Sequence, residues 1–493
     1  MKKTTPALIA ASLAFGLAAC SSPKTGTVQN GGLDFAKQTS TKQSAEVNGQ
    51  TVRYRAFEGI VYVKNPADTK YETINIYVPE AYYAGGSIEG YTADTAPIFF
   101  PNQIGGYMPA EAGKPGLDKR NNNQPNAMLV ALSKGYVVAS AGARGRTAAN
   151  GKAPAAIVDL KAAVRYLKAN DRAMPGDAGK IISNGTSAGG ALSALLGATG
   201  NSKDYEGHLK ALGAADAPDD IFAVSAYCPI TDLDHADMAY EWQFNGVNDY
   251  KKMNITMLDY NVKRELVPGT LTAAEIKLSN QLKPLYPAYI NSLKLKDAQG
   301  RPLTLDKNGN GSFKNHIAGL LAASAQKQLD AGKNLNDRNW LTIQNGKVTA
   351  VDFDKYAKAA GRQKTPPAFD AVDLSAGENQ LFGTATVDKQ HFTDFSMQHN
   401  TAEGAALADA QTVKIMNPLN YIGSAEAKAP KHWRIRVGTN DRDTSLAVSA
   451  VLAAKLQNHG HSVDYFLPWD VPHSGDYDLD ELFAWMKQVA AAK

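Results

Sequence analysis

Cysteine is nearly missing from this chain: only Cys20 and Cys228 occur in 493 residues. Cys20 is accounted for below, so one thiol remains and no intrachain disulfide framework can staple the fold. A chain of this length can bury a sizeable core without one. Runs of basic charge are missing too. The 52 Lys and Arg residues nearly balance 48 Asp and Glu, for a net charge of +4. No cationic stretch is long enough to follow a nucleic-acid backbone. Beyond the first twenty residues no segment is apolar enough to span a bilayer. Hydrophobic residues make up 44% and charged residues 20%, which excludes a wholly disordered chain and fits a globular one.

The first twenty residues read as an address. Met1-Lys2-Lys3 is positive, Ala7 to Leu17 is apolar but too short for a bilayer span, and small residues lead into Cys20. This resembles a bacterial lipoprotein signal. It implies that residues 1–19 are removed, that Cys20 is lipidated, and that the protein is exported and lipid-anchored to the bacterial cell envelope. Residues 20–45, rich in Ser, Lys, Thr, Gly and Gln, read as a flexible tether.

From about residue 46 short apolar strands alternate with helices. Tyr71 to Val78 alternates and stops at Pro79, while Pro97–Pro101 and Gly135–Ser140 are short apolar runs. Over 155–169 Ile157, Leu160, Val164 and Leu167 recur at helical spacing, with Lys161, Arg165 and Lys168 elsewhere on the wheel. Ile181–Asn184 reads as a strand, followed by an Ala/Gly/Leu helix over 188–197. This rhythm predicts an α/β fold with a parallel sheet. It is interrupted over 232–425, read as an inserted domain, and returns over 426–493. The core then has two parts, 46–231 and 426–493.

The strongest local signal is Gly185-Thr186-Ser187-Ala188-Gly189. A G-x-S-x-G between a strand and a small-residue helix is a nucleophile elbow, which lifts a serine hydroxyl to the helix N-terminus. Such a serine needs a base, and the base an orienting carboxylate, in the chain order Ser, acid, His. Of the histidines in the last α/β segment, His473 falls just past a strand and before the final helix. The acid should follow the preceding strand, where Asp441 and Asp443 are both available. The spacing from Gly438 common in hydrolases of this fold selects Asp441, and Asp443 could instead cap the next helix or contact substrate. An oxyanion hole would pair the Ala188 N–H with one from Ile104-Gly105-Gly106-Tyr107, where Gly105 and Gly106 allow close approach of a substrate.

With these residues placed, the chain over about 50–490 resembles the bacterial tannases, a family of α/β-hydrolases. The matching stretches are Ile104–Met108, the elbow, Tyr227–Asp232, His235–Phe244, the Asp441/Asp443 pair and Pro472-His473. The resemblance implies an α/β-hydrolase fold whose 232–425 insertion is a lid. It also implies hydrolysis of galloyl esters of tannins and alkyl gallates to gallic acid, without a cofactor or metal. Lys364, Glu378 and Asp443 would hold the ring hydroxyls, and Ile230 would lie against the ring face. Gly377 departs from the family, which leads one to expect a bulkier apolar residue before the glutamate. The alternative activity is a feruloyl or general phenolic or short-chain carboxylesterase, although methoxy groups fit poorly against Asp443 and Glu378. The partners implied are small galloyl esters and, through Cys20, a membrane.

Other motifs are weaker. Asp306–Gly311 begins like a calcium loop, but Ile317 stands where a bidentate Glu is needed, so a turn is expected. Cys228 reads as a buried small hydrophobe, and Glu241 and Trp242 carry no assignable role.

Overall fold

The computed structural model describes residues 33–118, 122–258 and 261–492. The signal at 1–19, Cys20 and the tether as far as residue 32 lie outside the described residues. Nine strands form the main sheet: β1 (Thr41–Val47), β2 (Gln50–Val61), β3 (Thr73–Pro79), β4 (Pro97–Pro101), β5 (Val137–Ala141), β6 (Asp177–Thr186), β7 (Ala223–Tyr227), β8 (His432–Arg436) and β9 (Ser462–Phe466). Their order is β1-β2-β3-β5-β4-β6-β7-β8-β9. Pairing is antiparallel from β1 through β3 to β5 and parallel from β5 to β9. The helices that matter here are α1 (Ala127–Ser133), α2 (Ala155–Ala169), α3 (Ala188–Ala198), α4 (Leu233–Phe244), α5 (Gly377–Leu381), α6 (Leu446–Asn458) and α7 (Leu479–Ala491).

The continuous apolar runs in the strands have a direct cause. Successive side chains point to opposite faces, and here both faces are covered. Ile98 and Phe100 join one core cluster with α2, α3 and α6, while Phe99 joins another with α1 and α7. Lys161 and Arg165 of α2 do not face water as their place on the wheel suggests. Both are buried, and Lys161 donates to Asp219 at 2.8 Å and to the Thr199 carbonyl at 2.7 Å. Arg165 Nε reaches the other Asp219 oxygen at 2.9 Å.

Two expected boundaries change. The tether does not extend to residue 45. Phe35 is buried against Phe57, with ring centroids 4.7 Å apart, and β1 begins at Thr41. β1 is an edge strand exposed along most of its length, so it carries few apolar residues and reads like coil. The insertion expected over 232–425 leaves the sheet after Tyr227 and returns at His432, but it is no separate domain. Leu33–Lys493 forms one compact unit. Trp242, Phe313, Phe353 and Phe369 of the insertion share a single apolar cluster with Ile98, Leu192 and Ile435 of the body.

Candidate active site

Ser187 sits between β6 and α3 with φ +60° and ψ −124°, a strained conformation for a side-chain-bearing residue. The glycines around it are required. A Cβ on Gly185 would lie 2.2 Å from the Gly189 carbonyl oxygen and 2.6 Å from Asn102 Nδ2, and one on Gly189 would lie 2.4 Å from Asn102 Oδ1. Asn102, at the end of β4, fastens the turn by donating to the Gly189 carbonyl at 3.0 Å and to Ser193 Oγ at 3.1 Å.

The structure brings Ser187, His473 and Asp441 into one line. His473 Nδ1 lies 2.8 Å from Asp441 Oδ2, and Nε2 lies 2.8 Å from Ser187 Oγ. The carboxylate fixes the proton on Nδ1, which leaves Nε2 free to accept from the serine hydroxyl. Asp441 is fully buried, and its other oxygen accepts the Asp443 N–H at 2.9 Å. Burial opposes charge on His473, but Asp441 outweighs it and raises the imidazole pKa well above its ordinary value. Cys228 is buried as expected, and it also stands 3.8 Å from His473 Nε2, with its thiol pKa pushed up by burial.

The loop after β4 turns through left-handed conformations at Gly106 (φ +54°) and Tyr107 (φ +55°). Arg146 holds its carbonyl side, with Nε donating to the Gly106 carbonyl at 2.7 Å and the backbone N–H to the Tyr107 carbonyl at 2.9 Å. Among the described residues the N–H groups of Gly105 and Gly106 have no protein acceptor, and the places their side chains would take are empty. Ala188 opens α3, so its N–H lies at the positive end of the helix.

Asp443 is not a helix cap; Ser445 caps α6. Instead Asp443 Oδ1 accepts from Gln363 Nε2 at 2.7 Å and lies 3.9 Å from Lys364 Nζ, while Oδ2 lies 3.6 Å from His473 Nε2. Lys364 also stands over the Phe369 ring, 4.0 Å from its centroid. Lys364 and Asp443 are partly open, at 24% and 23% side-chain exposure, and so can meet a ligand. Glu378, on α5, is half-buried and forms no ion pair with Lys364. Arg146, which donates to both the Gly106 carbonyl and Gln380 Oε1, brings α5 to the Gly105–Tyr107 loop. Ile230 is buried just past β7, before Asp232. The small residue at Gly377 has an explanation in Arg146. A Cβ there would lie 3.0 Å from the guanidinium, whose Nη1 donates to Gln380 at 2.6 Å.

Two groups among the described residues bring three candidate ligand atoms within 4.8 Å of one another, Cys228/Asp441/His473 and Asp232/Asp234/His235. In the second, His235 Nδ1 is held by Asp232 at 2.8 Å and by Asp234 at 3.5 Å. The Asp306 loop is a turn in which Asp306 Oδ1 accepts the N–H groups of Asn308 and Asn310, and the Lys314 ammonium lies 3.0 Å from Asn310 Oδ1.

A family model described as BD-FAE matches residues 115–269. Among solved structures, the tannase of Fusobacterium nucleatum is 51% identical, with a TM-score of 0.88 over 93% of this chain and 99% of that one. The tannase of Lactobacillus plantarum is 45% identical, with a TM-score of 0.89 over the same shares. A tannin acyl hydrolase in complex with ethyl gallate is 45% identical, with a TM-score of 0.85 over 92% and 97%. This chain belongs to the bacterial tannase family of α/β-hydrolases. Among curated proteins none is significantly similar to it.

Several residues that brace the segments around this candidate site carry no signal in the sequence. Asn102, Arg146 and Gln363 act through contacts that span tens to hundreds of residues along the chain, and Tyr240 sits in a helix where its ring is ordinary core. Glu241 and Trp242 now have places. Glu241 is fully buried and takes Arg362 Nη2 and Ser279 Oγ at 2.5 Å each. Trp242 donates to the Gly309 carbonyl at 3.0 Å and packs on Tyr286, Phe313 and Phe353.

Proposed function

We propose that the protein is an exported, lipid-anchored serine esterase that hydrolyses galloyl esters of tannins and alkyl gallates. The observation that carries the chemistry is the line Ser187–His473–Asp441, with 2.8 Å at each link. Ser187 Oγ attacks the ester carbonyl as His473 Nε2 takes its proton, and the carbonyl π electrons move onto oxygen. The Ala188 N–H and the Gly105–Gly106 loop stabilise that oxyanion. Collapse expels the alcohol, which takes the proton from His473 and leaves a galloyl-Ser187 ester. Water, deprotonated by His473, then attacks the acyl carbonyl, and collapse releases gallic acid as Ser187 Oγ takes the proton back from His473. Asp441 holds the ring and stabilises its charged form. Each step uses only these groups and water.

The galloyl assignment rests on the set beside the triad. Asp443 and Glu378 accept from phenolic hydroxyls, and Lys364 donates to a phenol oxygen. Ile230 offers the ring an apolar face. The related tannin acyl hydrolases described with ethyl gallate and with 3,4-dihydroxybenzoate support the same class of ligand. Cys20 carries the anchor, and metabolic labelling with a fatty acid tests it: label in the parent and none in Cys20→Ser supports lipidation, and an unlabelled parent refutes it. The deciding assay for the reaction compares methyl gallate with methyl ferulate, with Ser187→Ala as control. A strong gallate preference abolished in Ser187→Ala is expected. Equal rates, or a preference for ferulate, would reject the galloyl reading in favour of a general phenolic esterase.

A further inference from the structure

Tyr240 is buried in α4, and its hydroxyl is saturated. It donates to the Arg442 carbonyl at 2.9 Å and accepts the backbone N–H groups of Gln363 and Lys364 at 3.0 Å each. A phenol oxygen has one proton to give and two lone pairs to accept with, and all are in use. Gln363 closes the circuit, since its Nε2 donates to Asp443 Oδ1 at 2.7 Å. The path from Tyr240 through Arg442, Asp443 and Gln363 back to Tyr240 is a closed ring of hydrogen bonds and one peptide link. It ties the arm that carries Lys364 to the loop that carries Asp441 and Asp443.

The ring fixes a spacing. Lys364 Nζ stands 3.9 Å from Asp443 Oδ1, beyond hydrogen-bond reach, and is held over Phe369. The ammonium and carboxylate are close enough to serve neighbouring groups on one ligand and too far apart to satisfy each other. Gln363 bonds Oδ1, and Oδ2, 3.6 Å from His473 Nε2, accepts no hydrogen bond among the described residues. A ring with adjacent free hydroxyls suits this pair: one hydroxyl donates to Asp443 Oδ2 while its neighbour accepts from Lys364. A lone hydroxyl meets one of the two, and a methoxy group cannot donate.

From this geometry we propose that Tyr240 and Gln363 are positioning residues that set the selectivity for acyl rings with vicinal hydroxyls, by holding Lys364 and Asp443 in register. The inference rests on the galloyl reading above. Neither residue supplies a proton or touches the reacting atoms.

The test uses Tyr240→Phe and Gln363→Met, each assayed on methyl gallate and on 4-nitrophenyl acetate, which uses the triad but presents no ring hydroxyl to Lys364 or Asp443. The expected result is a KM for methyl gallate raised about tenfold, the scale of a lost hydrogen bond, with turnover of 4-nitrophenyl acetate within about twofold of the parent. A folded variant pair with the parent's KM for gallate would overturn the proposal. So would an equal fall on both esters, which would mean that the ring serves only to hold the Asp441 loop. If Tyr240→Phe fails to fold, Gln363→Met carries the test alone. A parent enzyme that does not hydrolyse methyl gallate overturns the galloyl reading and this inference with it, whereas a parent that does, with variants that match it, overturns this inference only.

Discussion

Replacing Glu241 by Gln removes the one counter-ion that the Arg362 guanidinium has among the described residues. Both side chains are fully buried, Arg362 Nη2 meets Glu241 at 2.5 Å, and Arg362 Nε and Nη1 have no partner. Breaking one side of such a pair leaves a buried charge uncompensated and costs about 3–5 kcal/mol. At about 2.1 cal/mol/K of unfolding entropy per residue, a chain of this length loses about 1 °C of melting temperature per kcal/mol. The expected fall is therefore about 3–5 °C by differential scanning calorimetry. Replacing both partners with apolar residues, Glu241→Leu with Arg362→Met, removes the stranded charge as well and should recover most of that loss. A Glu241→Gln protein that melts within about 1 °C of the parent, or a double variant less stable than the single, would refute the reasoning. Because Arg362 directly precedes Gln363 and Lys364, the single variant should also weaken methyl gallate binding more than 4-nitrophenyl acetate turnover.

The remaining predictions concern the triad, the elbow and one half-buried histidine. Asp441→Asn should lower kcat by about 10⁴. Because Asp441 holds the His473 pKa up against burial, the rising limb of the residual pH–rate profile should also move to lower pH; an unmoved limb would deny Asp441 that role. Gly185→Ala would drive a Cβ into the Gly189 carbonyl at 2.2 Å, so fluorophosphonate labelling of Ser187 should be lost, and normal labelling would contradict the elbow geometry. His235, stacked on Tyr289 at 3.7 Å, is disfavoured in its charged form by burial, but Asp232 and Asp234 outweigh this and raise its pKa from 6.5 to about 10. Its stabilising contribution is complete below pH 6.5 and lost as pH rises toward about 10. Urea midpoints should fall over that window in the parent, and that component should be absent in His235→Gln.

What the sequence made legible followed from local rules. Strands with both faces covered, such as Pro97–Pro101, show as unbroken apolar runs. The period of 155–169 marks a helix, and Ala155–Ala169 is one. The elbow was readable because steric demand forces glycine at fixed offsets around Ser187. The burial of Lys161 and Arg165 is not visible in the helical period, because their partner Asp219 stands 58 and 54 residues further along the chain. β1 was missed because an exposed edge strand has little apolar surface to betray it. The ring through Tyr240 and Gln363 was invisible because its links depend on tertiary placement and not on any spacing. Gly377 could be flagged as odd, but only the fold shows that Arg146 fills the space.

The position of β1 has a practical meaning. The described chain enters the sheet at its outer edge, and β1 lies five places in the strand order from β6, which carries the elbow. At about 4.8 Å between neighbouring strands, that is roughly 24 Å of lateral separation. A pull from the N-terminal side is met first by Leu33 and Phe35, which are hydrogen-bonded to Asn170 at the end of α2, before it reaches β1 at the rim of the sheet. The C-terminus offers a different purchase, because α7 packs Phe483 against Phe99 and Tyr136 in the core, so strain applied there reaches the strands themselves. A load at the amino end is thus shared by Asn170 and an edge strand, whereas one at the carboxyl end falls on the core.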